Sequence, residues 1–112
     1  MAARLLTIGE CMVELMQAEG GLMRKSFAGD TFNTAYYARQ YLPADWSVDY
    51  FSAVGTDMIS DEMLAFMDGH HIGTQHMARI EGRSPGLYMI HLKDGERSFS
   101  YWRSVSAAKL LA

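Results

Sequence analysis

The sequence is poor in residues that cross-link or break a chain: it holds a single cysteine, Cys11, and only two prolines among 112 residues. One cysteine cannot close an intrachain disulfide, so the chain suits a reducing compartment and must draw its stability from a packed core or a partner. Positive charge is also scarce. Ten Lys and Arg against thirteen Asp and Glu leave a formal charge of -3 and a pI near 5.7. That balance does not make the basic field that attracts duplex nucleic acid or an anionic membrane, so neither partner is expected. No stretch approaches a membrane span, and the N-terminal run meets Glu10 before any apolar region long enough for a secretory signal. The expected location is the cytoplasm. Repeats, low-complexity segments and Pro/Gly/Ser-rich linkers are absent too, which argues against two independent domains.

The 49% of hydrophobic and 12% of aromatic residues describe one soluble globular domain, or part of a larger one. Residues Arg4 to Ile8 form a short apolar run closed by Gly9 and read as a buried strand. Met12, Glu14 and Met16 alternate with Val13, Leu15 and Gln17, a weaker strand pattern that stops at Glu19-Gly20-Gly21 and resumes from Leu22 to Phe27. From Thr31 to Leu42 the period becomes helical, with Ala35, Ala38 and Leu42 on one face, Asp30 as the expected N-cap and Pro43 beyond the end. A second strand is expected over Val48 to Val54. After it, Ile59, Met63, Phe66 and Met67 recur as on a buried helix face, with Gly69 as the stop signal.

Strand, helix, strand, helix in that order predicts an α/β fold with a parallel sheet and right-handed crossovers. A short strand is expected within Thr74 to Ile80. Leu87 to Leu92 and Arg97 to Trp102 flank Asp94-Gly95, a strong hairpin signal. Ser104 to Ala112 has a helical pattern with neither a capping residue nor a returning strand, so the C-terminus looks truncated.

Two constellations carry chemistry. Ala28-Gly29-Asp30-Thr31-Phe32-Asn33 sets a glycine and polar side chains where a loop meets a helix N-terminus, whose free N–H groups and positive dipole end suit a hydroxyl-rich or anionic ligand. The same residues also read as an ordinary tight turn and cap. Tyr101-Trp102-Arg103 puts Tyr101 and Arg103 on one face of a strand end, where a guanidinium beside a phenol can take a carboxylate; taken alone, the motif reads first as a half-exposed strand end with Arg103 solvated and both aromatics packed. His70, His71, His76 and His91 lack zinc-ligand spacing and read as surface or packing residues. The nine methionines read as core filler, and Cys11 as a buried thiol without an activating partner. Neither GxxxxGK[ST] nor GxGxxG occurs, so an ordinary phosphate-loop or dinucleotide site is not encoded in these residues.

Ala28 to Ala35, followed by Ala53-Val54-Gly55-Thr56-Asp57, resembles the first signature of the ribokinase-like (PfkB-type) carbohydrate kinases. The opening Ile8-Gly9-Glu10-Cys11-Met12-Val13-Glu14-Leu15, then Pro85-Gly86-Leu87-Tyr88 and Gly95 to Arg103, are similar to the 2-keto-3-deoxygluconate kinase branch of that family. The resemblance runs through essentially the whole chain but covers only the N-terminal portion of such a kinase. It implies ATP- and Mg²⁺-dependent phosphorylation of the terminal hydroxyl of a sugar acid, in an α/β body with a small antiparallel β lid formed by segments at about 11–27 and 86–103. By the same resemblance Gly29, Asp30 and Asn33 would hold sugar hydroxyls, Tyr88 and Tyr101 would face the substrate from the lid, and Arg103 would meet its carboxylate.

Where the family often has Gly-Gly-Asp this chain has Ala28-Gly29-Asp30, a small change for a crowded turn. The family's second signature, with the catalytic Asp and the glycine-rich anion hole, would lie beyond residue 112, as would the ATP and Mg²⁺ site. The segment alone would therefore be inactive, and its uncovered apolar faces, together with the lid, lead to the expectation of a homo-oligomer. A non-catalytic sugar-acid-binding module, and a kinase of the same fold for another sugar, are the alternatives.

Overall fold

The computed structural model describes residues 3–111. Strand β1 (Arg4–Ile8) pairs in parallel with β4 (Ser47–Phe51), and helix α1 (Asp30–Tyr41), in the connection between them, packs on both. Phe32 and Ala35 of α1, Val48 and Tyr50 of β4, and Met63 and Met67 of α2 (Met58–Gly69) are all buried in one core. Phe32 anchors α1 more than the expected Ala35, Ala38 and Leu42 stripe: it meets Tyr50 edge-on at 5.6 Å and Phe66 of α2 at 6.0 Å. Aromatic pairs in this geometry add to the area term that drives burial.

The expected strand over Val48 to Val54 is divided at Ser52 into β4 and β5 (Ala53–Val54). Each half serves a different partner. β4 lies beside β1, whereas β5 pairs in parallel with β6 (Ala78–Arg79), the two-residue remainder of the strand expected within Thr74 to Ile80. The expected C-terminal helix is a 3₁₀ turn at Ala107–Leu110, with no side-chain cap at its start; Ala112 lies outside the described residues.

Two expected helix ends are corrected. Asp30 is the first helical residue and not the N-cap; Gly29 takes that place, and its carbonyl accepts the Asn33 N–H at 2.7 Å. A Cβ at Gly29 would stand 2.5 Å from the Glu10 carbonyl oxygen, so close passage of two backbones selects glycine there and leaves the Asp30 side chain exposed. At the end of α2 the left-handed residue is His71, with φ 59°, and not Gly69. The Ile72 N–H reaches the Met67 carbonyl and the His71 N–H the Asp68 carbonyl, both at 3.0 Å, which is the Schellman pattern, and Ile72 then returns to the core beside Met67.

The segments expected to form the lid make a four-stranded sheet, in the order β3-β2-β7-β8, with β2 Met12–Gln17, β3 Met23–Ala28, β7 Leu87–Lys93 and β8 Glu96–Trp102. Each hairpin is antiparallel, but β2 and β7 pair in parallel, so the lid is a mixed sheet and not the antiparallel one expected. Both strands leave the body in the same direction, and their seam must follow. Asp94 and Gly95 carry φ 53° and 80°, the two left-handed positions of a type I′ hairpin turn.

Asp57 caps α2 and ties it to the loop before β7. Its Oδ1 accepts from the Ser60 N–H at 3.3 Å, and its Oδ2 accepts from the Ser84 hydroxyl at 2.5 Å. Burial works against its charge, but the hydrogen bonds from Ser60 and Ser84 outweigh burial and hold the carboxyl below its ordinary value. This contribution is present above the ordinary carboxylate range near 3.8 and is lost as pH falls through the lowered value. Asp57→Ala should cost about 1 kcal/mol at neutral pH, the usual worth of an N-cap, and acid titration of both proteins by circular dichroism should show that difference shrinking. His71→Gly should raise stability by about 0.5–1 kcal/mol, because glycine relieves a left-handed residue; denaturant melts of the two chains check it.

Candidate functional site

A cleft of about 330 Å³ lies between the start of α1 and the lid. Its walls include Gly29, Asp30 and Asn33 from the body and Tyr88, Tyr101 and Arg103 from the lid, together with Met12 and Phe99. The six residues singled out in the sequence thus line one hollow, although they come from three separated stretches of chain. At its floor the helix N-terminus presents the exposed side chains of Asp30 and Asn33 beside the positive end of the α1 dipole. Tyr101 and Arg103 share the cleft, as strand alternation requires, while Trp102 turns to a second hollow of about 580 Å³ with Arg83, Ser84 and Val105.

Sheet register builds the roof. Ser26, Glu14, Tyr88 and Tyr101 stand opposite one another across β3, β2, β7 and β8, so they form one row on one face. The Tyr88 hydroxyl donates to Glu14 Oε1 and the Ser26 hydroxyl to Glu14 Oε2, each at 2.6 Å. Burial first, and then the Glu14 hydrogen bond, push the Tyr88 phenol above its ordinary value, so it stays protonated. Tyr88 packs against Tyr101 at 5.9 Å and Phe99 at 6.2 Å, and Phe99 stacks on Tyr101 at 6.3 Å. The result is an aromatic roof with hydroxyls at its edge, a surface suited to the alternating apolar and hydroxyl faces of a sugar.

The charge at the far end is paired. Arg103 Nη2 donates to Glu10 Oε1 at 2.8 Å, from a side chain 43% exposed to one 11% exposed. A guanidinium has five N–H donors, so one contact to Glu10 leaves others for a ligand carboxylate. Glu10, Glu14, Met12 and Phe99 were not singled out from the sequence. The alternation over Met12, Glu14 and Met16 did place Glu14 on the same face as Met12, but its partners lie one strand away on either side and leave no trace in local spacing.

The family model for pfkB family carbohydrate kinases matches residues 2–112. The chain belongs to the pfkB family of carbohydrate kinases. It is 45% identical over 111 residues to the 2-dehydro-3-deoxygluconokinase of Escherichia coli K12, covering 97% of this chain and 36% of that relative. It is 44% identical over 104 residues to the enzyme of that name from Dickeya dadantii, covering 91% and 33%. Among solved structures, the 2-dehydro-3-deoxygluconokinase of Thermotoga maritima superposes with a TM-score of 0.85 at 18% identity, covering 98% of this chain and 35% of that one. Fructokinase from Xylella fastidiosa with bound ATP gives a TM-score of 0.83 at 25% identity, covering 96% and 32%. The fold is ribokinase-like, and the chain spans about a third of the length of the relatives it matches.

In this pfkB-family chain the remaining reactive groups are structural. Cys11 is buried, and burial, then the charge of Glu10, push its thiol up, which keeps it neutral and unreactive. The Tyr50 hydroxyl pairs with Thr31 Oγ1 at 2.8 Å and holds the first turn of α1 against β4. His70 packs on Phe66 at 4.5 Å and Tyr36 at 5.1 Å. Among the described residues no group of three or more His, Cys, Asp or Glu is placed to hold a metal ion.

Proposed function

We propose that this chain supplies the sugar-acid recognition surface of an ATP-dependent 2-keto-3-deoxygluconate kinase. The observation that carries the reading is the single cleft in which a helix N-terminus with Asp30 and Asn33 faces a lid bearing Tyr88, Tyr101 and Arg103. Each group has a part suited to its chemistry. The Asp30 carboxylate accepts from sugar hydroxyls, and the Asn33 amide both donates and accepts. Gly29 brings the backbone close without a side chain in the way, and the helix dipole favours partial negative charge at this end. Arg103 takes the sugar acid's carboxylate through the donors that Glu10 leaves free. The aromatic roof covers the carbon skeleton and limits water around the bound substrate.

The chemical step belongs elsewhere in the enzyme. ATP would be the phosphoryl donor and Mg²⁺ would neutralise its charge, and we place both in the portion of the relatives that this chain does not span. The matched 2-dehydro-3-deoxygluconokinases lend the substrate its name. Arg103 separates that acid from a neutral sugar, which a guanidinium would not favour.

Calorimetric titration of the chain with 2-keto-3-deoxygluconate, Mg-ATP withheld, should give saturable heat. Arg103→Met should weaken that binding by about tenfold or more, the worth of a charge-assisted contact at roughly 1.5–3 kcal/mol. An unchanged affinity would remove the carboxylate assignment.

We extend the reading to self-association through the lid. Leu22, Met23 and Leu92 at its margin are 69%, 39% and 49% exposed, and Leu6 and Ile8 of β1 are 45% and 57% exposed. Exposed apolar side chains of this size favour association. Sedimentation velocity should therefore show a species larger than the 12.6 kDa chain, and a monomer that melts cooperatively would contradict the proposal.

A further inference from the structure

We infer that Glu10 is the positioning residue of the acid-binding end of the cleft: it sets the rotamer of Arg103 and cancels its long-range charge, so that carboxylates are selected by fit more than by attraction. This rests on the reading of Arg103 given above. Glu10 lies in the link between β1 and β2, where the chain passes from the body into the lid. Its side chain is wedged between two loops. A Cβ at Gly86 would fall 2.5 Å from Glu10 Oε2 and 3.0 Å from Arg103 Cβ, while a Cβ at Gly29 would fall 2.5 Å from the Glu10 carbonyl oxygen. The loops are clamped together by the Val13 N–H, which donates to the Gly86 carbonyl at 2.8 Å. Glu10 is therefore held by the backbone around it, and Arg103, on a long and partly exposed stem, is held by Glu10.

The second oxygen indicates that this carboxylate does not serve folding. Oε2 is buried without a hydrogen-bond partner among the described residues. A buried acceptor left unpaired lowers stability, and an ion pair whose arginine is partly exposed to solvent contributes little to folding. The arrangement gains something else. A free arginine samples many rotamers and loses that freedom when it binds; an arginine already fixed by one fork arm loses less. The neutral pair also projects little field into solvent, so anions gain only on close contact with the remaining N–H groups.

The test compares Glu10→Met, Glu10→Gln and Arg103→Met, and the double variant Glu10→Met/Arg103→Met, by calorimetric titration of the chain with 2-keto-3-deoxygluconate over a salt series. Glu10→Met should bind about 3- to 10-fold more weakly, the freedom of one long side chain. It should also show a steeper salt dependence, while its melting temperature stays the same or rises. Glu10→Gln, which keeps an acceptor at Oε1, should recover most of the affinity. In the Arg103→Met background the Glu10 substitution should have no further effect. An equal loss in both backgrounds, or tighter binding by Glu10→Met at every salt concentration, would overturn the inference. Should Glu10→Met fail to fold, Glu10→Asp replaces it: one methylene shorter, it keeps the charge but loses the reach, and wild-type affinity in that variant would overturn positioning. An Arg103→Met chain that binds as well as wild type fails the carboxylate reading itself. A weakened Arg103→Met beside an unaltered Glu10→Met fails only the role of Glu10.

Discussion

The parallel seam between β2 and β7 is the contact on which the site depends. It begins where the Val13 N–H donates to the Gly86 carbonyl and runs through Val13↔Leu87 to Met16↔Ile90. Two hairpins distant in sequence become one sheet through it. A hairpin alone is marginal in water, and four strands with a face packed on the body are not. Val13 is buried, with Leu15, Phe27 and Leu87 packed against the same core. The lid is thus an extension of the body's core and not an appendage to it.

From that seam the cleft follows by geometry. Once β2 and β7 lie side by side, Glu14 stands opposite Tyr88, and Tyr88 stands opposite Tyr101. Period-2 alternation then sends Val13 and Leu87 to the packed face and Tyr88 to the cleft. A one-residue slip would reverse both faces together, so the apolar face of the lid enforces the orientation of the polar one. Lys25 of β3 also pairs with Glu62 of α2, and Phe27 meets Phe66 at 5.3 Å, which joins the outer lid strand to the body helix.

The body contributes by a different mechanism. Gly29 passes close to the Glu10 carbonyl, Thr31 is tied to Tyr50, and Phe32 is sunk between Tyr50 and Phe66. These contacts pin the first turn of α1, so Asp30 and Asn33 are presented from a rigid element. Sites built on such elements hold their geometry better than sites on loops.

Much of this was legible in the residues themselves. β1, both lid hairpins, α1, the Met63/Met67 face of α2 and the Asp94-Gly95 turn follow from short-range periodicity and turn chemistry, because each depends on neighbours within a few positions; β1, however, is not the buried strand expected, since Leu6 and Ile8 are exposed. The family motifs also singled out Gly29, Asp30, Asn33, Tyr88, Tyr101 and Arg103, which line the cleft together with Met12 and Phe99. Other features depend on contacts between distant segments, which local pattern does not encode. The strand break at Ser52 arises because β4 and β5 have different partners; the parallel seam arises because two strands leave the body in the same direction. His71 takes the left-handed turn because Ile72 must return to the core, and Gly29 displaces Asp30 as the cap because Glu10 passes so close. The pairing of Glu10 with Arg103 and of Glu14 with Tyr88 is of the same kind. Sequence alone determined which residue types were available to the cleft and on which local elements they sit; tertiary structure alone decided which carboxylate holds which donor, since those partners meet only when the two hairpins close into one sheet.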